Sequence, residues 1–187
     1  ITIANKLKNS KTHLTFFCRN LDPNFIKIIK ENEHSYFPLT KKKNKISTKD
    51  ALFHSQWLEV SQEEDAEECV KELSKIFYEY IIIDHYALDI NWEKIIRKHV
   101  PNIIVLDDLA DRNHDCDLLI DQNINNDLSS YNSLVPDSCV LLIGPKYALL
   151  RPEFLIQRIR NIENKKSYTH KSIFIFMGGA DKDNYTC

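Results

Sequence analysis

Short, continuously apolar runs alternate with amphipathic stretches along this chain, and that alternation restricts its fold more than any other feature. Leu14 to Cys18, Tyr36 to Leu39, Ile81 to Ile83, Ile103 to Leu106, Leu118 to Ile120, Val140 to Ile143 and Ile173 to Phe176 read as strands. A strand apolar on both faces needs cover on both, which a parallel sheet between helices supplies. The intervening stretches carry helix signals. Ile1, Ile3, Ala4 and Leu7 share one helical face. Asp22-Pro23 reads as an N-cap with proline at the first helical position, ahead of a helix with Phe25, Ile26 and Ile29 inward. Ser61 to Glu64 fits a capping box, and Ala66, Cys69, Val70, Leu73, Ile76 and Phe77 follow as one stripe. Asn91 opens a helix with Trp92, Ile95 and Ile96, and Pro152 opens another. The fold class is α/β, a mostly parallel sheet with helices on either side.

At 187 residues the chain suffices for one well-buried core and a little of a second. Residues 1–150 are expected to form the first lobe. Residues 151–170, a helix and then a charged, polar stretch, form a connection, and residues 171–187 open a second lobe. Ile1 is not a start methionine, and the chain stops after Met177-Gly178-Gly179, where a strand would hand over to a helix. It is therefore read as a piece of a longer protein. A net charge of −2 gives no electrostatic case for nucleic acid or an anionic membrane. The apolar runs are too short to span a bilayer. The five cysteines, Cys18, Cys69, Cys116, Cys139 and Cys187, are scattered and show no zinc-type spacing, which reads as reduced thiols in a cytoplasmic protein. The basic run Lys41 to Lys45 reads as a solvated loop.

Open α/β sheets bind ligands beyond the carboxyl ends of their strands. Here those ends share a polar signature. The strand ending at Ile83 leads into Asp84-His85-Tyr86, and that ending at Leu106 into Asp107-Asp108. Ile120 is followed by Asp121-Gln122-Asn123, and Ile143 by Gly144-Pro145-Lys146-Tyr147. Either these groups converge on one rim, or each aspartate caps a helix or a turn. His114-Asp115-Cys116-Asp117 holds ligand-type side chains at a spacing that matches no standard metal site, and reads as a loop with a buried cysteine. There is no G-x-S-x-G elbow and no P-loop. Gly178-Gly179, ending an apolar strand, is the kind of turn whose backbone N–H groups can cradle a diphosphate.

Several blocks, in this order, resemble one family: Trp57 to Ala66, Ile83 to Asp89 with Trp92, Asp107 to Arg112 through His114 to Asp117, Asp121 to Asn123, Gly144 to Phe154, and Met177 to Asp181. Together they look like the UDP-2,4-diacetamido-2,4,6-trideoxy-β-L-altropyranose hydrolases of bacterial pseudaminic acid biosynthesis. The resemblance implies a Rossmann-like N-terminal lobe of a two-lobed fold similar to that of GT-B glycosyltransferases, plus the first strand of the second lobe. It implies release of UDP by inverting attack of water at the anomeric carbon, without metal or cofactor; a monomer is expected. The family's general base is a histidine in a G-x-G-H loop after the first strand; that loop would precede Ile1. Tyr86 matches the family tyrosine at the reacting centre. Asp84, His85, Tyr147 and Arg151 fall where substrate would bind, and Gly178, Gly179 and Asp181 where the nucleotide would. A glycosyltransferase of the same fold, or a nucleotide-sugar-binding lobe without catalysis, are the other readings.

Overall fold

A computed structural model describes residues 1–9, 11–40, 52–163 and 173. The chain divides into two compact units, Ile1–Leu149 and Leu150–Cys187. The first unit runs α1 (Thr2–Leu7), β1 (Thr15–Arg19), α2 (Pro23–Glu31), β2 (Ser35–Leu39), α3 (Gln62–Leu73), β3 (Tyr80–Ile83), α4 (Ile90–Ile96), β4 (Asn102–Leu106), β5 (Leu118–Asp121) and β6 (Val140–Ile143). In the second unit the described helix is α5 (Pro152–Glu163). The basic run Lys41 to Lys45, the stretch leading to His170, the strand residues after Ile173, and Gly178, Gly179 and Asp181 lie outside the described residues.

The strands form two parallel sheets flanked by helices, one ordered β1-β2 and one ordered β3-β4-β5-β6. The local rules read from the sequence explain the element ends. The Asp22 carboxylate accepts the Asn24 N–H and Pro23 takes the first helical position of α2. The Ser61 hydroxyl accepts the Glu64 N–H to start α3, and Asp89 accepts the Asn91 N–H to start α4. Helices α3 and α4 pack on one another, and their inward side chains Ala66, Cys69, Leu73, Trp92 and Ile96 join Ile83, Ile103, Val105 and Leu119 of the sheet in one core.

Three expected core residues are not there. Phe25 is 55% exposed, because short α2 buries Ile29 alone. Ile76 and Phe77 are 57% and 78% exposed. Helix α3 ends at Leu73, where the Ser74 N–H and hydroxyl both turn back to the Val70 carbonyl. The helical spacing that aligned Ile76 and Phe77 with Leu73 stops with it.

Among the described residues no strand pairs with the second edge of β1 or with the β3 edge opposite β4. A cleft of about 1250 Å³ runs there. Consecutive residues of both strands line it, Thr15 to Cys18 and Tyr80 to Ile82, so it follows the strand edges rather than one face. Ile1, Thr2 to Ala4 of α1, and Cys69 and Leu73 of α3 also line it. Unpaired N–H and C=O groups along a strand edge are a template for another strand.

Candidate functional site

The carboxyl ends of β3, β4 and β5 bring Asp84, Tyr86, Asp107, Asp108 and Gln122 to the same cleft. Three or four consecutive apolar positions carry each chain segment to the rim, and the first polar residues after them turn outward or downward. The two aspartates after β4 divide these roles.

Asp107 points down. It is 2% exposed and belongs to a buried polar cluster with Arg112, His114, Glu93, Asp121 and Tyr131. The Arg112 Nη1 lies 2.7 Å from Asp107 Oδ1, an ion pair off the hydrogen-bonding angle, and the Arg112 Nε donates to the Leu88 carbonyl at 2.8 Å. The Tyr131 hydroxyl stands 3.0 Å from Asp121 Oδ2 and 3.1 Å from the Asp107 carbonyl. Burial, with both carboxylates beside it, pushes the Tyr131 hydroxyl far above the ordinary tyrosine range. His114 Nδ1–H donates to Glu93 at 2.7 Å, while its Nε2 faces Asp107 Oδ2 at 3.9 Å with no hydrogen-bond partner. A buried charge is tolerated only when paired, so this cluster fixes the backbone that carries the rim.

Asp108 points to the rim, where it accepts the Tyr86 hydroxyl at 2.8 Å. Its own carbonyl accepts the amides of Asn123 and Asn126 at 3.1 and 3.2 Å, and Asn126 also reaches Asp121 Oδ2 at 2.6 Å. The carboxylate holds the Tyr86 proton and, with burial and the charges of Asp84 and Asp107, pushes the phenol up to about 12. Tyr86 is therefore a neutral hydrogen-bond donor at ordinary pH. The sign follows: a raised folded value stabilises fully below the unfolded value of about 10, and that stability is lost as pH rises through the folded value. Asp108→Asn should return the Tyr86 phenol towards the ordinary range. Phenolate absorbance over an alkaline titration checks it, against a Tyr86→Phe control.

His85 stands beside the rim, half-buried, and its Nδ1 accepts the Ala87 N–H at 3.0 Å. Burial lowers its pKa. The ring is thus neutral with the proton on Nε2, a donor and not a base at that nitrogen. Asp84 is exposed. Tyr147 sits after β6 on a short 3-10 turn, Pro145–Tyr147, that Gly144 permits with a φ of +104°. The Lys146 ammonium stands 4.7 Å from the Tyr147 ring. Arg151 lies in the second unit, exposed, with its guanidinium 5.5 Å from the Phe154 ring.

The structure also brings to the rim two residues to which the sequence assigned no role there, although Trp57 opens the first of the family-like blocks. His54 and Trp57, on and before the 3-10 turn Ser55–Trp57, stack near Tyr86, with ring centroids 5.4 and 6.0 Å from it. Trp57 is 61% exposed, so this aromatic ledge is open beside the phenol. The Arg112 guanidinium lies 6.0 Å from the Tyr86 ring centroid. The sequence signal was the density of aromatic side chains just before the Ser61 cap. Among the described residues no group of three or more His, Cys, Asp or Glu is arranged to hold a metal. Nor, among them, is any helix long and apolar enough to cross a membrane.

No protein-family model matches the chain. Over 107 residues, 57% of this chain and 37% of the relative, it is 36% identical to UDP-2,4-diacetamido-2,4,6-trideoxy-beta-L-altropyranose hydrolase of Campylobacter jejuni. Over 189 residues, all of this chain and 34% of the relative, it is 23% identical to an uncharacterized protein of Methanocaldococcus jannaschii. The chain spans about a third of the length of these curated relatives. The polar rim above a pair of parallel sheets therefore belongs to an α/β chain that is related, over part of its length, to a nucleotide-sugar hydrolase.

Proposed function

We propose that this chain is the greater part of the N-terminal, Rossmann-like lobe of a GT-B-like UDP-sugar hydrolase. The reaction is release of UDP from UDP-2,4-diacetamido-2,4,6-trideoxy-β-L-altropyranose by inverting attack of water at the anomeric carbon. The observation that carries the reading is the 36% identity to the Campylobacter hydrolase, since geometry alone gives a polar rim and no reaction. The geometry supports it at three points.

The cleft between β1 and β3 suits a parallel strand, contributed by residues preceding Ile1 and joined through α1 to β1 as a βαβ unit. In that position the strand's carboxyl end meets the rim between the two sheets, the place where open α/β folds bind ligands. The general-base histidine of the following loop would then face Tyr86. Tyr86 itself, held neutral by Asp108, orients water or sugar by hydrogen bonding and moves no proton of its own at neutral pH. Asp84 and the Nε2–H of His85 offer the substrate an acceptor and a donor. Tyr147 and Arg151 are assigned to the substrate, and Gly178, Gly179 and Asp181 to the diphosphate. The setting is assigned as cytoplasmic, within pseudaminic acid synthesis.

The test is an assay on the natural protein extended to the relatives' length. UDP release from the nucleotide sugar without an added acceptor supports hydrolysis. Release that requires a sugar or lipid hydroxyl overturns it in favour of a transferase.

A further inference from the structure

Away from the rim, at the opposite ends of the same strands, two thiols meet. Cys116 precedes β5 and Cys139 precedes β6, and their sulfurs are 3.6 Å apart. The surrounding backbone is fixed. Leu118 pairs with Val140, the Val140 N–H donates to the Asp117 carbonyl at 2.9 Å, and the Cys139 N–H donates to the Pro136 carbonyl at 2.9 Å. Cys116 is 1% exposed, whereas Cys139 is half-buried and reachable. A disulfide spans about 2.05 Å between sulfurs, so closure needs side-chain rotation of roughly 1.5 Å and no change of strand register.

We propose that Cys116 and Cys139 form a reversible disulfide that staples β5 to β6 when the protein meets hydrogen peroxide. Cys139 is the attacking thiol. It is the more exposed of the two, and with the Cys116 S–H turned towards it, an arrangement the 3.6 Å contact allows, its pKa is lowered and that of Cys116 raised. The Cys139 thiolate attacks one peroxide oxygen; the S–O bond forms, the O–O bond breaks, and the departing hydroxide takes a proton. The Cys116 sulfur then attacks the Cys139 sulfenic acid. The S–S bond forms, the S–O bond breaks, and the leaving hydroxide takes the Cys116 proton as water. Two thiols lose two electrons and two protons, and one peroxide becomes two waters. Cys18 and Cys69, whose thiols burial pushes up, lack this activation. The loop so closed carries Asp121, Gln122, Asn126 and Tyr131, which brace the rim, so oxidation also restrains the candidate site.

The test uses the whole chain, treated with hydrogen peroxide, quenched, alkylated under denaturing conditions and digested with trypsin. Both cysteines fall in one tryptic peptide, Asn113 to Lys146, with no internal lysine or arginine. The expected product is that peptide two hydrogens lighter and without alkyl groups, restored to two alkyl groups by dithiothreitol. Cys18 and Cys69 should remain alkylated. The oxidised chain should melt roughly 5–10 °C higher than the reduced one. Cys116→Ser should stop the reaction at a Cys139 sulfenic acid that dimedone traps. Full alkylation of both thiols after peroxide, or links formed indiscriminately with Cys18 or Cys69, would overturn the proposal. These readouts on the unsubstituted chain do not depend on the hydrolase reading.

Discussion

Arg112→Leu is expected to destabilise the first unit by about 3–5 kcal/mol. Arg112 lies 5% exposed, 2.7 Å from Asp107 and 2.9 Å from Asp111, and donates to the Leu88 carbonyl. Leucine fills much of the space but leaves the Asp107 carboxylate buried without a cation, with the Asp121 carboxylate also buried nearby and joined to it through Tyr131. An uncompensated buried charge costs more than the ion pair contributes, because the desolvation is no longer offset. Against a typical domain stability of about 5–15 kcal/mol, that loss moves the urea midpoint far down. Arg112→Lys should recover only part of it, since one ammonium cannot reach Asp107, Asp111 and the Leu88 carbonyl together. A midpoint shift equivalent to less than about 1 kcal/mol for Arg112→Leu would show that the cluster is solvated and does not brace the rim.

Tyr86→Phe should lower UDP release by the extended protein about 100-fold or more, with little change in unfolding midpoint. The substitution removes one hydroxyl, half-exposed at the cleft, and one hydrogen bond to Asp108. The stability cost of that bond is about 1 kcal/mol. Its catalytic cost is larger if the phenol acts on the reacting centre, where a positioned donor has its greatest leverage. Asp108→Asn separates the two roles. It keeps the ring and hydroxyl but loses the charged acceptor, so turnover should fall less and the alkaline titration of Tyr86 should shift down. Unchanged kinetics for Tyr86→Phe would remove Tyr86 from the site.

The strands and caps were legible because they depend on neighbours in sequence. Val105 and Leu119 needed only an apolar run, and Asp22 and Ser61 only a free backbone N–H two or three residues on. The dual reading of the strand-end aspartates resolved into both answers at once. Asp121 accepts the Asn123 N–H as a turn residue, yet also anchors Tyr131 and Asn126. Asp107 accepts the Ala110 N–H, at a residue with φ of +50°, yet also pairs with Arg112. What sequence could not give was long-range. His54 and Trp57 meet Tyr86 although α3 and β3 separate them in sequence, and the Cys116–Cys139 approach depends on the register of β5 with β6. The exposure of Ile76 and Phe77 turned on where one helix stops. The strand-wide cleft is a property of sheet order, which no local pattern encodes.

Isotope placement reads directly which bond breaks. The extended protein is incubated with the nucleotide sugar in water enriched in oxygen-18, and both products are weighed by mass spectrometry. Attack of water at the anomeric carbon predicts label in the free sugar and none in UDP. Label in the UDP phosphate would place the attack at phosphorus, and no release of UDP without an acceptor would rule out hydrolysis.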